Sequence, residues 1–345
     1  MTARLARRRF LSQFAAAGAA SLITTQRVLA AEPPLETTTV RLGKIPATCD
    51  APIYAADDLL RAEGLTDVRF MDTIPGPARI EALGRGEFDF TMTSALKQIN
   101  AFDNGVPITI VAGLHAGCYE LFARDGVRGI TELKGKRVGL ASVSPELLIM
   151  MAAAVGLDRN DIDWVTDPAL RPLDLFANGK IDAFLGFPPE PQELRARHAG
   201  HVIVNTALDR PWSQYLCCML AGNREFVRNN PVATKRTIRA ILKATDLCDS
   251  EPQSVARTIT DRGFADRYDP LLQTLKDNPY KWREYDAGAA LYISICSAIS
   301  SRSVRTGRSR TDLTLGPDRR PTSMILVRSA RKRPRIRRGS SMEPA

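Results

Sequence analysis

Val40-Arg41-Leu42-Gly43 runs through a loop to Pro52, an apolar helix, Gly64-Leu65 and then Val68-Arg69-Phe70-Met71. Arg137-Val138-Gly139-Leu140 runs through a loop to Pro145, an apolar helix, Gly156-Leu157 and then Ile162-Asp163-Trp164-Val165. Pro precedes Gly-Leu by 12 residues in the first stretch and by 11 in the second. Each stretch closes with a helix, a glycine and a short strand, Leu83-Gly84-Arg85-Gly86-Glu87-Phe88-Asp89-Phe90 and Phe176-Ala177-Asn178-Gly179-Lys180-Ile181-Asp182-Ala183-Phe184. A strand–helix–strand–helix–strand unit used twice predicts two α/β lobes, each an open sheet flanked by helices. Ligands of such sheets bind at the carboxyl ends of the strands, so two facing lobes make a cleft. A glycine after a helix is ordinary capping. The weight therefore rests on the shared order and spacing.

The two ends of the chain differ in composition from its middle. Arg4, Arg7, Arg8 and Arg9 precede an apolar stretch from Phe10 to Ile23, and Val28-Leu29-Ala30 offers a cleavage site. This reads as an export signal over residues 1–30, of twin-arginine type from Arg7-Arg8-Arg9-Phe10-Leu11, which places the mature protein in the periplasm. The apolar stretch falls short of the ~20 residues of a comfortable membrane span. Residues 301–345 hold 13 Lys and Arg against 3 Asp and Glu, and the whole chain is +10, so the rest is neutral. Lacking Phe, Tyr and Trp, this basic tail cannot bury enough apolar surface to fold. It reads as a disordered or aberrant extension from about 294 onward, and no nucleic-acid partner is expected.

Between these ends the expected path is discontinuous. Residues 31–125 and 213–293 form lobe one, and 126–212 form lobe two. Tyr119–Arg124 and the apolar Gln214–Ala221 are the expected crossing strands, and a pair of crossings makes a hinge.

Over residues 38–292 the chain resembles the periplasmic solute-binding proteins of ABC importers, in the nitrate/sulfonate/taurine group with its thiamine-pyrimidine precursor binders and synthases. The residues that carry this are Ala51-Pro52-Ile53-Tyr54-Ala55-Ala56, Gly86-Glu87-Phe88-Asp89-Phe90, Leu133-Lys134-Gly135-Lys136-Arg137-Val138-Gly139 and Gly179-Lys180-Ile181-Asp182-Ala183. The resemblance implies a type II two-lobed binding fold that captures a small solute in the cleft and presents it to a membrane permease, acting as a monomer. Relatives end in further helices on lobe one, which the sequence after Tyr292 does not match.

Cleft residues follow from the strand ends. Cys49, Asp50 and Tyr54 stand at the first helix N-terminus of lobe one, where exposed N–H groups favour an acceptor-rich ligand atom; Asp50 serves either the ligand or the helix as its N-cap. Thr91, Thr93 and Ser94 end the next strand, with Ser94 also placed to cap a helix. Ser142, Ser144 and Glu146 mark the equivalent turn of lobe two. Phe187, Pro188 and Glu190 follow another strand end. Gly117, Cys118, Tyr119, His115 and Glu120 lie at one crossing, and Trp212, Ser213, Gln214 and Tyr215 at the other, where aromatics either stack on a planar ligand or fill the core. Asp50 and Glu190 are acidic and no arginine stands in these loops, which favours an amine- or pyrimidine-like solute over nitrate or a sulfonate.

Six cysteines stand at 49, 118, 217, 218, 248 and 296, without a Cys-x-x-Cys pair. Cys217-Cys218 read as small buried hydrophobes, and a Cys49–Cys118 disulfide is conceivable. His115, His198 and His201 show no finger or helical spacing with them, so no metal or other cofactor is expected. The enzyme alternative is a thiamine-pyrimidine synthase. Relatives of that branch carry Cys-Cys-Cys-Phe-Cys and an active-site histidine, whereas this chain has Cys217-Cys218-Met219 and His115. Without a nucleophile–base pair or phosphate loop, binding is favoured over catalysis.

Overall fold

Val40 and Leu42 are buried while Thr39 and Arg41 are half-buried along β1 (Thr39–Lys44), the period-two pattern of a strand in a sheet. The computed structural model describes residues 32–45, 48–73, 77–139, 145–165 and 171–284. The signal segment 1–30, the tail 294–345, Cys296, Ser142 and Ser144 lie outside them.

From β1 the chain passes through two short helices, α1 (Ala51–Ala55) and α2 (Asp57–Ala62), where the sequence suggested one. It continues through β2 (Asp67–Asp72), α3 (Pro77–Gly84), β3 (Phe90–Ser94), α4 (Ala95–Asp103) and β4 (Ile108–Ala116). The second lobe comprises β5 (Glu120–Ala123), β6 (Arg137–Gly139), α5 (Pro145–Ala154), β7 (Asp163–Val165), α6 (Pro172–Ala177), β8 (Ala183–Gly186), α7 (Glu190–Ala196) and β9 (His201–Asn205). The chain then returns as β10 (Leu216–Asn223), followed by α8 (Arg224–Asn229), α9 (Pro231–Ser250), α10 (Pro252–Asp261) and α11 (Tyr268–Asp277).

The two sheets have the same strand order, β2-β1-β3-β10-β4 and β7-β6-β8-β5-β9. In each, three parallel strands are followed by an antiparallel one, β10 against β3 and β5 against β8. The correspondence extends to single atoms. Asp89 accepts the Arg41 backbone N–H at 2.7 Å and its Nη2 at 2.6 Å; Asp182 accepts the Arg137 backbone N–H at 2.9 Å and its Nη2 at 2.8 Å. A Cβ on Gly43 would stand 2.6 Å from the Phe88 ring, and one on Gly139 would stand 2.5 Å from Ile181 Cδ1. The repeated Gly-x-Phe/Ile-Asp closings therefore lock each third strand to its first through the same ion pair and the same close approach.

Both expected crossings move. Glu120–Ala123 is an interior strand of the second sheet, paired with β8 and β9, and does not span the lobes. The return strand likewise lies wholly in the first sheet, paired with β3 and β4. The chain changes lobe at 117–119 and again at 206–215, so lobe one ends near 116 and not at 125. Antiparallel insertion from the far half of the chain is a non-local pairing, which strand composition cannot assign to a sheet. Thr206 ties the crossings together. Its Oγ1 accepts the Cys118 N–H at 3.1 Å and the Tyr119 N–H at 2.9 Å and donates to the Tyr119 carbonyl at 2.9 Å. Gly117 adopts φ +52°, and a Cβ there would meet the Ala207 backbone at 2.3 Å, so the two segments touch main chain to main chain.

One apolar cluster runs through both lobes by way of Cys118 and Tyr119. Away from the crossings the lobes meet again where α7 faces α11. There Arg195 pairs with buried Glu120 and, at 2.6 Å, with Asp277, which also accepts from Gln192 at 3.1 Å. A groove of about 510 Å³ runs beside this contact. Among the described residues no helix is long and apolar enough to cross a membrane.

Candidate functional site

The carboxyl ends of β1, β3 and β4 and the start of β10 bring together residues distant in sequence. Asp50 ends a short 3-10 turn, Thr48–Asp50, and makes no side-chain cap to α1. Its carboxylate accepts Arg79 Nη2 at 2.7 Å, and the two side chains are only 2% and 1% exposed. The same Arg79 nitrogen donates to the Gly43 carbonyl at 2.9 Å. Burial pushes the Asp50 carboxyl up to about 6 even though Arg79 opposes it. An arginine does therefore reach this end of the cleft, carried by α3, and Asp50 is committed to it.

A second basic group was also missed. Lys97 lies in the first turn of α4, is 8% exposed, and makes no ion pair among the described residues. Ser94 caps that turn by accepting the Lys97 N–H at 3.5 Å. Desolvation lowers the Lys97 ammonium, and Glu146, on the first turn of α5 in the other lobe, works against that. Glu146 Oε2 is itself buried without a hydrogen-bond partner among the described residues. A cation at a helix N-terminus works against the helix dipole. This placement is unfavourable unless an anion joins it.

The remaining expected residues divide. Tyr54 stacks on Phe264 at 5.0 Å between ring centroids and bonds the Ile45 carbonyl, so it is core. Glu190 folds back to accept the Phe187 N–H at 3.0 Å, and burial raises its carboxyl to about 7; it braces its own loop and one oxygen is taken. Phe187 and Tyr119 are a tilted pair at 5.5 Å on lobe two's side of the crossing. Thr91 is buried and donates to the Gly43 carbonyl at 2.9 Å, and the Thr93 carbonyl accepts from Gln98 at 3.1 Å. Trp212 and Ser213 belong to a half-buried 3-10 turn before Tyr215, where the Ser213 N–H bonds the Asp209 carbonyl at 2.9 Å.

Gly117 and Cys118 border the densest chemistry. His115, Cys118, Cys217 and Cys218 each offer one donor atom, and all four atoms lie within 4.8 Å of one another. Cys118 Sγ is 2.8 Å from Cys217 Sγ, and Cys217 Sγ is 3.8 Å from Cys218 Sγ. Cys49 adds a thiol whose Sγ lies 3.9 Å from Asp50. The neighbouring Cys118, Cys217 and Cys49 thiols hold the Cys218 thiol well below its ordinary range. All five described cysteines are free. Two expectations are thus corrected: the neighbour of Cys118 is Cys217 rather than Cys49, and the cysteines do gather around a histidine. Spacing failed because the donors come from two antiparallel strands and a crossing, with Cys218 opposite His115 in the β4–β10 ladder.

Comparison with known proteins agrees with this architecture. The alkanesulfonate-binding protein SsuA of Xanthomonas axonopodis pv. citri, bound to MOPS, is 18% identical with a TM-score of 0.63, covering 80% of this chain and 95% of that one. The aliphatic sulphonate-binding protein SsuA of Escherichia coli is 17% identical with a TM-score of 0.64, covering 83% and 97%. The nitrate-binding protein NrtA of Synechocystis PCC 6803 is 17% identical with a TM-score of 0.59, covering 71% of each chain. All three share the fold. A binding protein of Brucella abortus is 27% identical over 186 residues, 52% of this chain and 56% of the relative, so the match spans little more than half of that protein. The profile of the NMT1-like family matches residues 33–260, and the chain belongs to that family.

Proposed function

We propose that this protein is the exported solute-binding component of an ABC importer, capturing a small solute between its lobes for delivery to a membrane permease. The observation that carries the reading is the buried Lys97 at the start of α4, which makes no ion pair among the described residues, together with Glu146 of the other lobe, whose buried Oε2 has no hydrogen-bond partner among them. A positive group on one lobe and an unmatched acceptor on the other suit a solute with an anionic head and an N–H or cationic end. This replaces the amine- or pyrimidine-like preference, which rested on the apparent lack of basic side chains. The sulfonate and nitrate binders of the same fold support an anionic head.

Thermal-shift screening of the purified chain against aminoalkanesulfonates, plain alkanesulfonates, nitrate, pyrimidines and amines tests this. A true solute at 100 times its dissociation constant adds about 2.7 kcal/mol of apparent stability. Lys97→Met should then weaken it by roughly 1.5–3 kcal/mol, the worth of one hydrogen bond to a charged group. A solute that binds equally well to the Lys97→Met protein sinks the assignment.

A further inference from the structure

We propose that His115, Cys118, Cys217 and Cys218 form a binding site for a thiophilic divalent cation, best suited to zinc. Tetrahedral zinc holds thiolate sulfur at about 2.3 Å and imidazole nitrogen at about 2.0–2.1 Å, which sets sulfur–sulfur edges at about 3.8 Å. The Cys217–Cys218 separation of 3.8 Å already has that value, and Cys118–Cys217, at 2.8 Å, needs to open by about an ångström. All four donors come within 4.8 Å of one another, so a cation gathers them without moving a strand.

The histidine supplies an independent observation. Its Nδ1 lies 3.2 Å from the Ala116 carbonyl and 3.1 Å from the Gly117 carbonyl. Carbonyl oxygens only accept, so in the neutral ring the proton sits on Nδ1 and Nε2 presents a bare lone pair. That Nε2 is buried and has no hydrogen-bond partner among the described residues. A ligating imidazole takes this state, oriented by a backbone carbonyl behind it. Tyr280 packs edge-on against the same ring at 5.1 Å, which fixes its plane.

The donor set decides the class of ion. Three sulfurs and one imidazole exclude magnesium and calcium, which take oxygen ligands, and match the closed Cys3His sites of zinc. Cys217 is the only half-exposed member and gives the ion its way in; the other three are buried. Binding takes Cys118, Cys217 and Cys218 as thiolates and releases to solvent the thiol protons they still carry, with no change of oxidation state. The ion would tie the first crossing to the base of β10.

The test uses the full chain, purified and reduced, titrated with cobalt(II) as the spectroscopic probe and then with zinc. One equivalent of cobalt should give tetrahedral visible bands and sulfur-to-cobalt charge transfer, both abolished by one equivalent of zinc. Cys217→Ser should weaken zinc at least as much as the roughly 10–100-fold caused by losing a group that merely orients a ligand. Cys248→Ser, a buried cysteine outside the group, should change nothing. If Cys217→Ser fails to fold, the unsubstituted spectrum still decides. Octahedral or absent bands in the reduced protein would overturn the site. So would a Cys118–Cys217 disulfide in the isolated protein which, once reduced, leaves a chain that takes up no cobalt.

Discussion

Thr206→Val is the most discriminating single change to the frame, because the side chain keeps its shape and loses only its hydroxyl. That hydroxyl takes the N–H groups of Cys118 and Tyr119 and gives its proton to the Tyr119 carbonyl. The Tyr119 carbonyl also receives the Thr206 backbone N–H at 2.9 Å, so it stays satisfied in the variant. The two N–H groups do not. Each buried donor left without a partner costs about 1–3 kcal/mol, so the substitution, which strands two, should cost ~2–6 kcal/mol without opening a cavity. Thr206→Ser keeps the hydroxyl and should cost only ~1 kcal/mol, the worth of one buried methyl group. Urea unfolding of the purified chain, with the slope unchanged, measures both. In the proposed capture mechanism the lobes rotate about these crossings, so Thr206→Val should also loosen closure on solute. A Thr206→Val variant within about 0.5 kcal/mol of the original would show that the crossings are held by packing alone and refute the reasoning.

Glu190 carries a folded-state carboxyl raised to about 7 by burial, against an ordinary carboxylate near 4.5 when unfolded. Its stabilising contribution is complete below the unfolded value and is lost as pH rises through the folded one. Glu190→Gln should therefore flatten the stability profile between pH ~4.5 and ~7 and leave the variant more stable at pH 8 by ~1–2 kcal/mol, less than a fully buried group would give. Thermal melts of both proteins across this range check it. Asp89→Asn should cost ~2 kcal/mol because the Asp89 carboxylate is buried against Arg41, while Asp182→Asn, at the equivalent but more exposed pair, should cost clearly less by urea unfolding. Arg195→Met strands buried Glu120; with Arg195 itself 38% exposed, the cost should be ~2 kcal/mol, and adding Glu120→Gln should recover part of it. Equal stability of the single and double variants would count against the bridge.

The duplication was legible because it is written locally. Pro52 and Pro145, Gly86 and Gly179, and the two Asp residues at 89 and 182 act within one βαβ unit, where spacing translates directly into register. The family resemblance read from the same segments agrees with the family profile and the shared fold. The lobe boundaries were not legible in the same way. Glu120-Leu121-Phe122-Ala123 is an apolar strand by composition, yet which sheet takes it depends on β8 and β9, about sixty and eighty residues further along the chain. A strand buried on both faces carries no alternation to say which neighbour it joins.

Two of the expected cleft acids turn out to be committed elsewhere, for a related reason. Cleft acids were sought in strand-end loops, but Asp50 is held by Arg79 from a helix face, and Glu190 bends back onto its own loop. Lys97, with no ion pair among the described residues, and Glu146, with one oxygen lacking a hydrogen-bond partner among them, stand inside the first turns of helices, where a sequence reading assigns solvated side chains by default. They come from different lobes, so neither segment alone shows the need for the other. A solute that pairs with both is stabilised only when the lobes are close, and each charge left unpaired in the open cleft returns to water. Binding and closure would then be one event driven by the same two charges. The Arg195 bridge to Asp277, on α11 of the other lobe, is a direct contact between the lobes that opening of the proposed cleft would have to break.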